Sequence, residues 1–373
     1  MTDRIVTRRS VAAEVGALLD SPEVADLIGE LEALRWTGRK GYPIRSLVGA
    51  CLVKSLYAIP TWTRTAALIA EHAALRDALG AAPSVFACYR FTAKLREHSD
   101  ALADCLDRIA AALREELPDY GVDVAVDGSD LPAYANGQRY VKKGGPLRER
   151  YSDPEATWGH RSAVSTRSGG SFYGWKIHMA TCARTDLPLA WRIETAKATE
   201  LSALEPLLDA LDARGFRPET IIGDTGYDYA PGHDAVMEHG AVPVFARRRF
   251  AGEGNWTEAP ECEHGAWSFA GASYDRRATQ WRCPTGECAP KSVRIRADRR
   301  HPLIPRSTRR FGQMFAKRGC VERAFGRLKH EYGLGPLRVR GRERVALHAD
   351  LTALAMLASA LARARARAIP LAA

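Results

Sequence analysis

A chain of 373 residues with 46% hydrophobic and 26% charged side chains is long enough for two or three domains with real cores. Its net charge of +10 is unevenly held: residues 276–344 carry 20 Lys/Arg against 5 Asp/Glu, and the remainder is slightly acidic. Eight scattered cysteines and a polar, charged opening stretch argue against a secreted disulfide scaffold and for a reducing cytoplasm. Neither apolar helical run reads as a membrane span. Residues 44–59 include Arg45 and Lys54, and residues 345–362 include His348 and Asp350 in a run shorter than a bilayer needs.

From residue 21 to 118 the pattern is helical. Ile44, Leu47, Val48, Cys51, Leu52, Leu56 and Tyr57 form one amphipathic stripe, and residues 61–79 form a second. Ser84 is placed to cap a third helix through Phe86, Tyr89, Phe91 and Leu95, and residues 98–117 read as a fourth. Residues 1–118 are therefore expected to be a helical N-terminal domain, suited to DNA contact or dimerisation.

After Tyr120 the period changes to two. Val122, Val124 and Val126 alternate with Asp123, Ala125 and Asp127, so the valines face a core and Asp127 emerges at the strand end before Gly128. Residues 131–170 are polar and rich in Gly, Ser and Arg, and predict a long loop. Residues 171–179 and 189–194 predict two strands joined near Asp186. Thr199 caps a helix through Leu201, Leu204, Leu207, Leu208 and Leu211, ended at Gly215. A fourth strand reaches Asp224, and a short helix over 231–239 leads to a fifth strand over 241–245. Three strands, a helix, a strand, a helix and a strand describe an α/β fold with a ribonuclease-H-like mixed sheet and flanking helices. Its first part spans 119–246, a β-rich insertion spans 247–310, and C-terminal helices over 311–373 complete the core.

The most informative stretch follows the insertion. Read as one helix, it places Glu322 about 40° and Lys329 about 20° round from Arg318, with Phe315 within about 60°. Val321, Phe325 and Leu328 seat it on a core. A carboxylate between two cations suits a site that binds a metal ion and grips phosphates. Asp127 and Asp224 at neighbouring strand ends, with Glu322, make a magnesium triad. Asp130 has the opposite strand parity and Asp228 lies a full turn beyond its strand, so both are decoys. In the insertion, Cys262, His264, Cys283 and Cys288 form a soft-ligand set of the right number for a structural Zn²⁺, with His301 in reserve and Trp256, Trp267 and Trp281 as a small core.

These motifs resemble those of the DDE transposases of bacterial insertion sequences. Phe315, Arg318, Glu322 and Lys329 have the spacing of that family's Tyr-Arg-Glu-Lys signature, with Phe315 replacing the tyrosine and so removing a hydroxyl. Asp224, Gly226 and Tyr227 resemble the surroundings of its second aspartate, Val126 to Ser129 those of the first, and Tyr173 to His178 the strand that follows. The resemblance spans residues 30–360. It implies metal-dependent DNA cleavage and strand transfer, with Asp127, Asp224 and Glu322 holding two Mg²⁺ (or Mn²⁺) ions. Arg318, Lys329, Arg323 and Arg327 are the implied DNA-binding residues. Implied partners are double-stranded DNA, both terminal inverted repeats and target, and further copies of the chain assembled on it. No membrane is implied, and the location is the bacterial cytoplasm, on the nucleoid. Two alternatives share these residues: an inactive, element-derived DNA-binding protein, and a ribonuclease-H-like nuclease without strand transfer.

Overall fold

The computed structural model describes residues 10–34, 41–147, 149–161, 168–254 and 256–368. The outer ends of the first and last expected domains, residues 1–9 and 369–373, lie outside these, as does part of the expected loop, 162–167. Among the described residues seven helices come first: α1 (Val11–Leu19), α2 (Pro22–Ala33), α3 (Ile44–Leu56), α4 (Trp62–Glu71), α5 (Ala73–Leu79), α6 (Val85–Glu97) and α7 (Ser99–Glu116). The Ser84 side chain caps α6 by accepting from the Ala87 amide. The run expected as one helix over 61–79 is broken at His72. Its backbone turns extended, and its Nδ1 accepts from the Leu75 amide at 3.4 Å to start α5.

The chain then enters the sheet: β1 (Asp123–Pro132), β2 (Thr157–Arg161), β3 (Gly170–Cys182), β4 (Pro188–Thr195), α8 (Glu200–Ala213), β5 (Thr220–Gly223), α9 (Ala230–Glu238) and β6 (Val242–Phe245). β4, β3 and β1 are antiparallel neighbours, while β5 runs parallel to β1 and β6 parallel to β5. This is the ribonuclease-H-like order. Val124, Ala125 and Val126 are all buried, because helices cover both faces of this central strand. The Thr199 cap on α8 is reciprocal, with Ser202 answering, and Gly215 follows the helix at φ +73°.

Two strand expectations need correction. β1 does not end at Asp127 but continues to Pro132, held by β3 along its whole length; only its pairing with β5 stops, at Ala125. The expected loop over 131–170 contains β2, which pairs with β3 beyond the end of β4.

The insertion holds a hairpin, β7 (Glu261–Cys262) and β8 (Gly265–Ala266), and a three-stranded sheet of β9 (Ser268–Ser273), β10 (Ala278–Arg282) and β11 (Ser292–Arg296). The signature stretch stays helical throughout, but its winding changes along the way. It comprises α10 (Arg309–Phe315), a 3-10 turn (Ala316–Arg318), α11 (Gly319–Gly326) and a π-helical turn (Arg327–Glu331). Glycines at 319 and 326, poor helix formers, stand at both ends of α11. Phe315 consequently closes α10, stacked on Phe311 at 5.6 Å. α12 (Arg342–Ala368) is long and apolar enough to cross a bilayer, but it is mostly buried against α3, α7 and β4. One apolar core runs from Val15 of α1 through the sheet to Leu361 of α12.

Candidate active site

Asp127 projects from β1 just past the last residue paired with β5, and Asp224 follows directly on the end of β5. Parallel neighbours that part at this level open a crevice between them. Each aspartate is locally braced: Asp127 Oδ1 accepts from the Gly128 amide at 2.8 Å, and Asp224 Oδ1 from the Gly226 amide at 2.7 Å. Space is tight at Gly128. A β-carbon at that position would lie 3.0 Å from Nδ1 of His178, which β3 places opposite it. His178 is fully buried, and among the described residues neither ring nitrogen has a partner. Burial, with Lys176 and Arg192 nearby and Glu200 opposing, pushes its imidazole down to about 4.

Arg318, in the 3-10 turn before α11, bridges the two halves of the site. Its Nη2 donates to Asp127 Oδ2 at 2.8 Å and its Nη1 to Glu322 Oε1 at 2.7 Å. The i,i+4 relation holds across the change of winding because Arg318 already has helical backbone angles. Lys329 reaches the same strand end, donating to Ser129 Oγ at 2.8 Å and to the Asp130 carbonyl at 2.7 Å. Arg323 and Arg327 are directed elsewhere. Arg323 makes a two-pronged pair with Asp186 at 2.6 and 2.8 Å, and Arg327 faces Glu331 at 3.6 Å.

The two decoys have structural work. Asp130 pairs with Arg161 of β2 at 3.1 Å. Asp228 is fully buried and accepts from Arg306 at 2.6 Å, the Arg248 amide at 2.8 Å and Arg299 at 3.2 Å, with His233 Nε2 at 2.9 Å. Burial opposes its charge, yet these partners hold its carboxyl below the usual range. It fastens the segment that returns from the insertion, through Arg299 and Arg306, to His233 of α9. Part of the basic block is thus consumed inside the protein.

A further carboxylate joins the group. Glu200, first residue of α8, has its Cγ 3.1 Å from the point where a Gly226 β-carbon would sit, and Asp224 Oδ1 lies 2.9 Å from that same point. Its Oε1 is 3.8 Å from the corresponding point on Gly128 and 3.4 Å from Lys176 Nζ. Sequence reasoning passed over it, since an acidic residue in a first helical turn is ordinary. Its one signal was an N-terminus following the third strand of such a sheet.

Burial, with Asp224 and Glu200 beside it and Arg318 opposing, pushes the Asp127 carboxyl up to about 7. Tyr227 is fully buried, and its ionisation is opposed first by burial and then by Asp127, Glu200 and Asp224; among the described residues its hydroxyl has no partner. Hard oxygen donors short of positive charge, beside an orphaned hydroxyl, fit a hydrated divalent cation. In the described structure Glu322 is turned toward Arg318, which takes one of its carboxylate oxygens, and its side chain is 64% exposed.

In the insertion, the sulfurs of Cys262, Cys283 and Cys288 lie within 4.8 Å of one another. His264 is not in this group: its ring nitrogens face Glu263 at 3.5 Å and Glu287 at 3.6 Å. His301 is likewise elsewhere, 3.2 Å from Asp298.

A family model described as the transposase DDE domain matches residues 121–358. Among curated proteins none matches the chain. A solved structure similar to it is the cryo-EM piggyBac transposase synaptic complex with hairpin DNA, at 12% identity and TM-score 0.44, covering 98% of this chain and 78% of that one.

Proposed function

The chain belongs to the DDE transposases, and on that premise we propose that Asp127, Asp224 and Glu322, joined by Glu200, hold the divalent metal on which this family depends. Mg²⁺ is the expected ion, with Mn²⁺ able to replace it and two ions in the site. Bound there, the metal would activate the attacking oxygen and stabilise the leaving oxygen of an in-line phosphoryl transfer. The single observation that supports this reading is the Arg318 bridge, which brings a carboxylate of the C-terminal helices to one of the central strand.

The protein's own groups supply the rest. Arg318 exchanges its carboxylates for phosphate oxygens when DNA and metal arrive, and Lys329 holds the strand beside Ser129. In cleavage a water oxygen attacks phosphorus, its proton passing to solvent, and the 3′-oxygen departs to become a hydroxyl; in joining that 3′-hydroxyl attacks a target phosphodiester, losing its proton, and the target strand's own 3′-oxygen departs. The duplex carries the terminal inverted repeats of the element. A cationic cleft of about 480 Å³ lined by Lys54, Arg96, Arg338, Arg340 and Arg344 supports a phosphate path toward the helical part. Tyr134, with Arg338 and Arg340 stacked over it, lies on the same wall. Further copies of the chain complete the assembly on DNA.

The test begins by sequencing the DNA that flanks the gene, to supply the inverted repeats. Labelled ends are then incubated with Mg²⁺ and a target plasmid. Cleaved and joined products are expected from the parent chain, and neither from D127N, D224N or E322Q, all of which still bind the end. Cleavage without joining would establish the nuclease reading. Binding without cleavage by the parent would establish the inactive one.

A further inference from the structure

The insertion carries a second cluster, remote in chemistry from the carboxylates. Cys262 ends β7, Cys283 follows β10, and Cys288 stands in the loop before β11. Cys262 and Cys283 come from sheets that share no strand pairing, yet their sulfurs are 3.9 Å apart. A disulfide requires about 2.0 Å. Four thiolates or imidazoles around zinc, with Zn–S near 2.3 Å, place neighbouring sulfurs about 3.8 Å apart. The observed spacing matches the edge of such a tetrahedron, and the third sulfur lies within 4.8 Å of both.

The surroundings suit a metal. Among the described residues the local core contains Trp267, Trp281 and Cys283 as buried residues, flanked by Cys262, Cys288, Val293 and Ile295 among others. So few apolar side chains hold a small sheet weakly without a crosslink. His264 sits in the β7–β8 turn, two residues from Cys262, and its ring faces Glu287, the neighbour of Cys288.

We propose that Cys262, Cys283 and Cys288 bind one structural zinc ion, with His264 turning from Glu287 to become the fourth ligand. Four protein ligands leave no open position, so the site is structural. It ties the β7–β8 hairpin to the β9–β11 sheet. That sheet leads into Arg299 and Arg306, which fasten the insertion to Asp228.

The full chain, purified without added metal, is assayed for zinc. About one ion per chain is expected, lost in C283S and retained in C88A, whose cysteine lies in α6. H264A is expected to keep the ion but surrender it at lower chelator concentration. Should C283S fail to fold, the parent decides: exchange with Co²⁺ gives a thiolate-to-cobalt charge-transfer absorption. Absence of both zinc and that absorption in protein with free thiols would overturn the proposal, as would a Cys262–Cys283 disulfide. Unchanged chelator resistance in H264A would overturn the fourth ligand. None of these readings depends on transposition, so they stand or fall apart from the catalytic assignment.

Discussion

Arg318 donates to Asp127 at 2.8 Å across 191 positions of sequence, tying the start of α11 to the centre of the sheet. The same guanidinium holds Glu322 at 2.7 Å. One cation therefore neutralises two of the carboxylates assigned to the metal, in the place where an ion would do so.

This relationship makes Arg318 a competitor of the metal. In R318A, Mn²⁺ affinity measured calorimetrically without DNA is expected to rise about tenfold, equivalent to ~1.4 kcal/mol of relieved competition. Cleavage should nevertheless fall, because a phosphate ligand is lost. Weaker Mn²⁺ binding in this variant would show that Arg318 organises the carboxylates rather than occupying their site.

Glu200 separates metal binding from folding. Its pair with Lys176 is long, at 3.4 Å, and partly exposed, so E200Q should cost less than ~1 kcal/mol of stability. Mn²⁺ affinity and cleavage should each fall by about tenfold or more. Unaltered metal affinity in a folded E200Q protein would remove Glu200 from the site.

Asp224 and Asp228 are four residues apart and should behave oppositely. Removing Asp228 takes a fully buried carboxylate from Arg306, Arg299, His233 and the Arg248 amide, leaving the two arginines to Glu258 and Glu253, so D228A should lose ~2–4 kcal/mol in denaturant unfolding. D224N should lose cleavage while staying within ~1 kcal/mol of the parent in metal-free buffer. Equal destabilisation by both would mean that Asp224 is part of the scaffold.

A pH signature is expected from Asp350, which accepts from Trp191 Nε1 at 2.8 Å. Burial pushes its carboxyl up to about 6, against the pull of Trp191 and Arg214. Between the ordinary carboxylate range and about pH 6 the folded chain keeps a proton that the unfolded chain has released. Its contribution to stability therefore declines as pH rises through that window. D350N retains an oxygen for Trp191 without the charge. It should match the parent near pH 4 and exceed it above ~6.5 by on the order of 1 kcal/mol, read from melting temperature against pH. A constant difference across pH would exclude Asp350 as the source.

Local chemistry made much of this protein legible from sequence. Alternating valines placed β1, Ser84 and Thr199 marked helix starts, and the four-residue spacing of Arg318 and Glu322 predicted their pair, because each depends on neighbours within a turn or two. Tertiary structure decided what depends on distant segments meeting. It tightened the winding of the signature stretch at Ala316–Arg318 and loosened it at Arg327–Glu331, while Val321 and Phe325 stayed buried in the core. It placed Glu200 beside Asp224, turned Asp228 inward onto Arg299 and Arg306, and gathered three cysteines while leaving His264 outside. A carboxylate's role follows from whether cations from elsewhere in the chain enclose it or leave it facing other carboxylates, and periodicity carries no record of that.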